Sequence, residues 1–240
     1  MEYLFSKLKF RSFLSDKNYH YKTDCEGCRM SKKKVAVIHT VGSSVPVIAK
    51  LFKEIIPEVE LVSMLDDSLL NDVIKNGRLT PDVTKRFVQY AIIAAENGSD
   101  LILNACSSIG ETVYVAQNVV KAPVYRIDFA MAEEAVKIGG KIGVLATLPT
   151  TIGPTVRLIE KTAQEMGANV AISSHVCTGA FQALAAGREE EHDHTVSGAI
   201  EKMAQEVKVI VLAQASMARA LPHVKTELKI PVLTSPRSCV

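Results

Sequence analysis

The chain repeats itself. Val35-Ala-Val-Ile-His-Thr40 matches Ile142-Gly-Val-Leu-Ala-Thr147 at an offset of 107 residues. Leu101-Ile-Leu-Asn-Ala-Cys106 matches Val209-Ile-Val-Leu-Ala-Gln214 at an offset of 108, and Ala122-Pro123-Val124 matches Ile230-Pro231-Val232 at the same offset. Three blocks in one register predict two similar halves. Each block is a short aliphatic run, the pattern of a strand buried on both faces.

Between the blocks the period switches to that of helices. Predicted strands are Val35–Ile38, Glu60–Met64, Leu101–Asn104, Val124–Ile127, Ile142–Ala146, Asn169–Ser173, Val209–Leu212 and Val232–Thr234. Predicted helices span Val45–Ile56, Thr80–Glu96 (Thr80 as cap, Pro81 first), a segment after Cys106, Ala130–Ile138, and about 153–166, 179–186, 195–206 and 216–227. Strands alternating with helices of this length give an α/β fold of two pseudo-symmetric halves, each a parallel sheet flanked by helices. The active site is expected in the cleft between them, at the carboxyl ends of the strands.

Composition narrows the function. Hydrophobic content of 48% and charged content of 22% are those of a soluble globular protein. A net charge of +2 argues against a nucleic-acid or membrane partner, and no apolar run approaches the roughly 18–20 residues of a membrane span. Five scattered cysteines fit a reducing cytoplasm better than a disulfide scaffold. Residues 1–33 are basic, lack any sustained period and read as a disordered extension. Cys25-Glu-Gly-Cys28 within it is a lone pair without further ligands, so no metal site is expected there.

Asn104-Ala-Cys-Ser-Ser108 carries the chemistry. Cys106 follows a buried strand, and Ser108-Ile-Gly-Glu111 has the spacing of a helix-capping box. A thiol between a strand end and a helix start meets backbone N–H groups and a helix dipole. Both favour the thiolate, the form that acts as base or nucleophile.

Together with Leu145-Ala-Thr-Leu-Pro-Thr-Thr151 and Leu212-Ala-Gln-Ala-Ser-Met217, that stretch resembles the aspartate/glutamate/hydantoin racemase superfamily. Gly179-Ala-Phe-Gln-Ala-Leu and His192-Asp193 resemble one branch of it. The resemblance covers about 34–240 and implies cofactor-independent chemistry on a small carboxylate. In that chemistry two cysteines, one per half, remove and return a Cα proton. It makes Cys106 the first cysteine and Ser107 and Ser108 carboxylate holders. Thr147, Thr150 and Thr151 become the polar turn of the second half, with Ser43 and Ser44 as their first-half counterparts. Ser216 joins the substrate-binding set. It also implies a strand exchange: 34–121 with 230–240 would form the first half and 122–229 the second. A homodimer is the assembly expected of this class.

The departure is at the second cysteine, where the 108-residue register places Gln214. An amide hydrogen-bonds but does not exchange protons usefully. Three readings stay open. Another group, Cys177 or a histidine on a loop, supplies the second proton, and His39 at the end of the first strand is a separate acid/base candidate. A single thiol serves a decarboxylase or lyase. Or the protein binds a carboxylate without catalysis. His192-Asp-His194, after Glu189-Glu-Glu191, reads as a solvated acidic turn, and Arg237 is placed to reach a carboxylate.

Overall fold

The computed structural model describes residues 32–239, without the side chains of residues 236 and 237. The expectations for the basic leader, the Cys25/Cys28 pair and the Arg237 side chain lie outside the described residues.

Eight strands form two four-stranded parallel sheets. The first contains β1 (Lys34–His39), β2 (Glu60–Leu65), β3 (Leu101–Asn104) and β4 (Val124–Arg126), in the order β2-β1-β3-β4. The second contains β5 (Gly140–Ala146), β6 (Val170–Val176), β7 (Val209–Leu212) and β8 (Val232–Thr234), in the equivalent order β6-β5-β7-β8. The register repeats as well: Ile38 pairs with Asn104 and Leu145 with Leu212. The sequence repeat is thus a structural repeat. β3 and β7 are buried along their whole length, which explains their unbroken apolar runs.

The helices are α1 (Ser44–Ile55), α2 (Ser68–Asn76), α3 (Pro81–Glu96), α4 (Thr112–Ala116), α5 (Phe129–Ile138), α6 (Pro149–Glu165), α7 (Ala180–Ala185), α8 (Glu189–Met203) and α9 (Ser235–Cys239). Short 3-10 segments cover Ser107–Ile109 and Ala215–His223. Thr80 caps α3 as its sequence predicts, its hydroxyl accepting from the Val83 N–H. α2 is not apparent in the sequence pattern. It is set by Asp66, whose carboxylate takes the Ser68 N–H at 2.9 Å and the Tyr90 hydroxyl at 2.9 Å, and it ends on Gly77 at φ 67°.

Two expectations are corrected. First, β4 and β8 do not change sheets. β4 extends the ladder beside β3 (Ile102 with Val124), and β8 extends the one beside β7 (Ile210 with Val232). The divisions expected at 121/122 and 229/230 therefore do not separate the sheets. What crosses is the following helix. Met131, Ala132, Ala135 and Val136 of α5 pack on Ile142, Val144 and Val209 of the second sheet. Cys239 of α9 joins Val35, Val37, Ile48 and Phe52 of the first half. A short strand satisfies its backbone within its own ladder, whereas the apolar face of α5 needs cover that the second sheet supplies. Second, α8 begins at Glu189, so His192 and Asp193 are buried helical residues and not a solvated turn. Three glutamates in the first turn suit the positive end of the helix. Arg219 grips Asp193 from the 3-10 segment, at 2.8 and 3.1 Å.

Gly143 shows how tightly α8 sits on its sheet: a Cβ there would come within 2.4 Å of Met203 Sδ and 2.8 Å of its Cγ. Gly143→Ala should destabilise the protein by about 1–3 kcal/mol in urea unfolding, and adding Met203→Ala should cost less in the Gly143→Ala background than in the parent.

Candidate active site

The site is built where β3, β4 and the start of α6 meet, at the carboxyl ends of the strands. Asn104, the last residue of β3 and 1% exposed, organises the turn. Its Oδ1 accepts the Cys106 N–H at 2.9 Å, and its Nδ2 donates to the Ile109 carbonyl at 3.0 Å and to Thr112 Oγ1 at 3.3 Å. The turn that follows is a single 3-10 segment, and α4 beyond it is only five residues long.

The expected capping box is absent. Ser108 instead reaches the other half, its Oγ 2.8 Å from Thr151 Oγ1. Glu111 does the same, pairing with Arg157 at 2.7 and 3.1 Å. Both residues are spent on joining the halves, which is why neither caps a helix.

Cys106 is half-buried. Burial pushes its thiol up, with the Asp128 charge adding to the rise. The Thr40 hydroxyl and the Ile109 and Ser108 N–H groups hydrogen-bond the sulfur and pull the other way, without prevailing. The direction runs against the favoured thiolate expected of a thiol between a strand end and a helix start. The dipole of a long helix is missing from the turn, and desolvation opposes the charge.

Sequence reasoning missed Arg126 and Asp128. Arg126 ends β4, and its Nε and one terminal nitrogen each lie 2.8 Å from an Asp128 carboxylate oxygen. Both side chains are almost wholly buried. Desolvation would raise the Asp128 carboxyl, yet the Arg126 guanidinium, helped by the Ser107 hydroxyl, holds it below the ordinary range. The available signal was an Arg-x-Asp beside a predicted strand end.

The second half answers with a related arrangement. Thr147, equivalent to Thr40, donates its N–H and hydroxyl to Gln214 Oε1 at 2.5 and 3.0 Å. Gln214 thus occupies the acceptor role that the Cys106 sulfur has toward Thr40. Its oxygen must be the atom facing Thr147, because a backbone N–H needs an acceptor.

The remaining predicted residues divide. Thr150 and Thr151 lie in the first turn of α6, which starts at Pro149 and so earlier than predicted. Thr150 Oγ1 is buried and has no hydrogen-bond partner among the described residues. Ser43 is exposed and makes no capping bond, and Ser216 is half-buried. Ser44 is occupied, giving its proton to the Val41 carbonyl at 2.7 Å and accepting from His39 Nδ1 at 2.7 Å. Cys177 belongs to the core beneath α8, and burial pushes its thiol up to about 11. Among the described residues no group of three or more His, Cys, Asp or Glu side chains is arranged to hold a metal ion. No described helix is long and apolar enough to cross a membrane.

The Ser44 geometry fixes the His39 tautomer: the proton is on Nδ1, and Nε2 is buried without a partner. Burial lowers His39 from 6.5 to about 4. Between those values the unfolded chain takes up a proton that the folded chain refuses, so stability falls as pH drops through that window. His39→Asn keeps a donor for Ser44 but cannot titrate. Its unfolding free energy in urea should decline less steeply than the parent's between pH 6.5 and 4; equal slopes would show that His39 is not held neutral.

The comparisons with known proteins agree with this fold. A model of the Asp/Glu/Hydantoin racemase family matches residues 43–240. No curated protein matches the chain in sequence. Among solved structures, a glutamate racemase isoform from Bacillus anthracis superposes with a TM-score of 0.67 at 18% identity, covering 87% of this chain and 79% of its own. A glutamate racemase from Francisella tularensis subsp. tularensis, solved in complex with D-glutamate, gives 0.66 at 16% identity, covering 87% and 78%. An allantoin racemase from Klebsiella pneumoniae gives 0.61 at 16% identity, covering 86% and 84%. At these identities the structural likeness is one of fold. With most of its length matched by the family model, the chain belongs to the Asp/Glu/Hydantoin racemase family.

Proposed function

We propose that this protein is a cofactor-independent enzyme of the racemase/isomerase type that moves a proton at the Cα of a small carboxylate, with Cys106 as the acid/base thiol. The observation that carries this reading is the setting of Cys106: a half-buried sulfur at a strand end, contacted by a hydroxyl and two backbone N–H groups. A Cα proton beside a carboxylate is very weakly acidic, so its transfer needs a base held in contact and donors aimed at the developing enediolate. Cys106 gives its thiol proton to solvent and, as the thiolate, takes the Cα proton on one face, while water returns a proton on the other. Thr150, with its buried unpartnered hydroxyl, and Ser43 and Ser216 supply donors to the carboxylate. Ser107, Ser108, Thr147 and Thr151 hold the two turns in place. The D-glutamate carried by the Francisella relative is a substrate of the size and charge envisaged.

Gln214 favours a second reading. Its oxygen is committed to Thr147, it has no ionisable proton, and Cys177 is sequestered. A protonated Cys106 without a partner thiol suits a decarboxylase. In a substrate with two carboxylates on Cα, the bond to one breaks, CO2 leaves, and the electron pair passes into the enediolate of the other. Cys106 then gives Cα its proton and is reprotonated by water.

Cys106→Ala should fold as the parent does and lose at least about 100-fold in turnover of small amino and dicarboxylic acids. Loss of optical activity in the parent reaction identifies racemisation, and CO2 release identifies decarboxylation. Full turnover by the alanine variant would refute the assignment. Ligand binding by the parent without either reaction would make the protein a carboxylate-binding module.

A further inference from the structure

The Arg126–Asp128 pair has no place in the chemistry described so far. A buried ion pair is a weak contributor to stability, because apolar residues of the same volume often serve as well. Yet several features of the chain are arranged around this one. Gly110 leaves room for the guanidinium: a Cβ there would lie 2.3 Å from Arg126 Cζ. Ser107, beside the thiol, hydrogen-bonds the Asp128 carboxylate. Arg126 also extends a terminal nitrogen to the Pro154 carbonyl of α6 at 3.4 Å, across the junction of the halves. Asp128 directly precedes α5, the helix that crosses to the second sheet.

We propose that Arg126 and Asp128 form a positioning device for Cys106. The pair holds the Ser107 hydroxyl, and through it the turn that carries the thiol, and it fixes one negative charge beside the sulfur. Arg126 keeps that charge in place by making the carboxylate affordable in a dry interior, while its fork fixes the carboxylate plane. Of the other ionisable groups around the turn, Tyr114 lies beneath Lys161 and interacts with Arg126. Glu111 is paired with Arg157, and His39 is buried and neutral. The geometry joins the pair to the turn through Gly110, where the guanidinium packs, and the Asp128 carboxylate acts on the sulfur in the direction that favours the thiol. This inference rests on Cys106 being the working group, and it concerns how that group is held and how readily it gives up its proton.

The test uses the full chain and needs no substrate, so its failure is separable from failure of the functional reading. The rate of Cys106 alkylation by iodoacetamide is followed against pH, with peptide mass spectrometry separating it from the other thiols. In Asp128→Asn the midpoint should move to lower pH by on the order of one unit. Ser107→Ala, which removes only a hydroxyl, leaves the carboxylate less quenched, and its midpoint should move to higher pH. A structural role alone would not shift the two in opposite directions. If Asp128→Asn does not fold, Ser107→Ala is read alone, and a midpoint at or below the parent's overturns the proposal. Midpoints equal to the parent's in folded protein would overturn the proposal.

Discussion

The exchange of helices between the two halves is the constraint on which the rest of the structure depends. Two four-stranded parallel sheets could float as separate lobes. They do not, because α5 leaves the first sheet to cover the second, and the short α9 places Cys239 in the core of the first half. Hydrophobic burial therefore fixes the relation between the sheets, since separating them would expose Met131, Ala132 and Ala135 together with the β5 residues beneath. Polar contacts then set the fine register. Ser108 meets Thr151, Glu111 meets Arg157, and Lys161 Nζ lies 4.2 Å over the Tyr114 ring. All of these join the turn after β3 to α6, so the strand-end turns of both halves share one junction.

Within that junction the two halves have diverged around one acceptor position. Thr40 donates to a sulfur, and Thr147 donates to an amide oxygen. The scaffold demands an acceptor at both places, and both residues meet the demand. Only one of them can move a proton. The asymmetry is chemical while the backbone stays symmetric, which is how a duplicated fold can change its reaction without changing its shape.

Much of this was legible in the sequence. Offsets of 107 and 108 residues announced the duplicated sheets, and the aliphatic blocks marked β1, β3, β5 and β7 correctly. Cys106, Ser108 and Thr151 were legible as neighbours of strand ends. Local pattern failed where a residue's partner lies far along the chain. Ser108 and Glu111 have capping spacing, but their partners are Thr151 and Arg157. Asp193 looked solvated because its counter-ion, Arg219, is 26 residues away. Arg126 and Asp128 gave only an Arg-x-Asp signal, and their burial depends on Gly110 and α6. The exchanged element was also misplaced by a few residues, since strand pairing and helix packing are decided by different forces and the sequence marks the two adjacent elements alike.

The account turns on Cys106 passing a solvent-exchangeable proton to carbon. The direct measurement is turnover in heavy water with the product's Cα read by mass spectrometry or NMR. The account predicts one solvent deuterium at Cα in the product, and no labelled product with Cys106→Ala. Product formed in heavy water with only protium at Cα, or labelled equally well by the alanine variant, would contradict it.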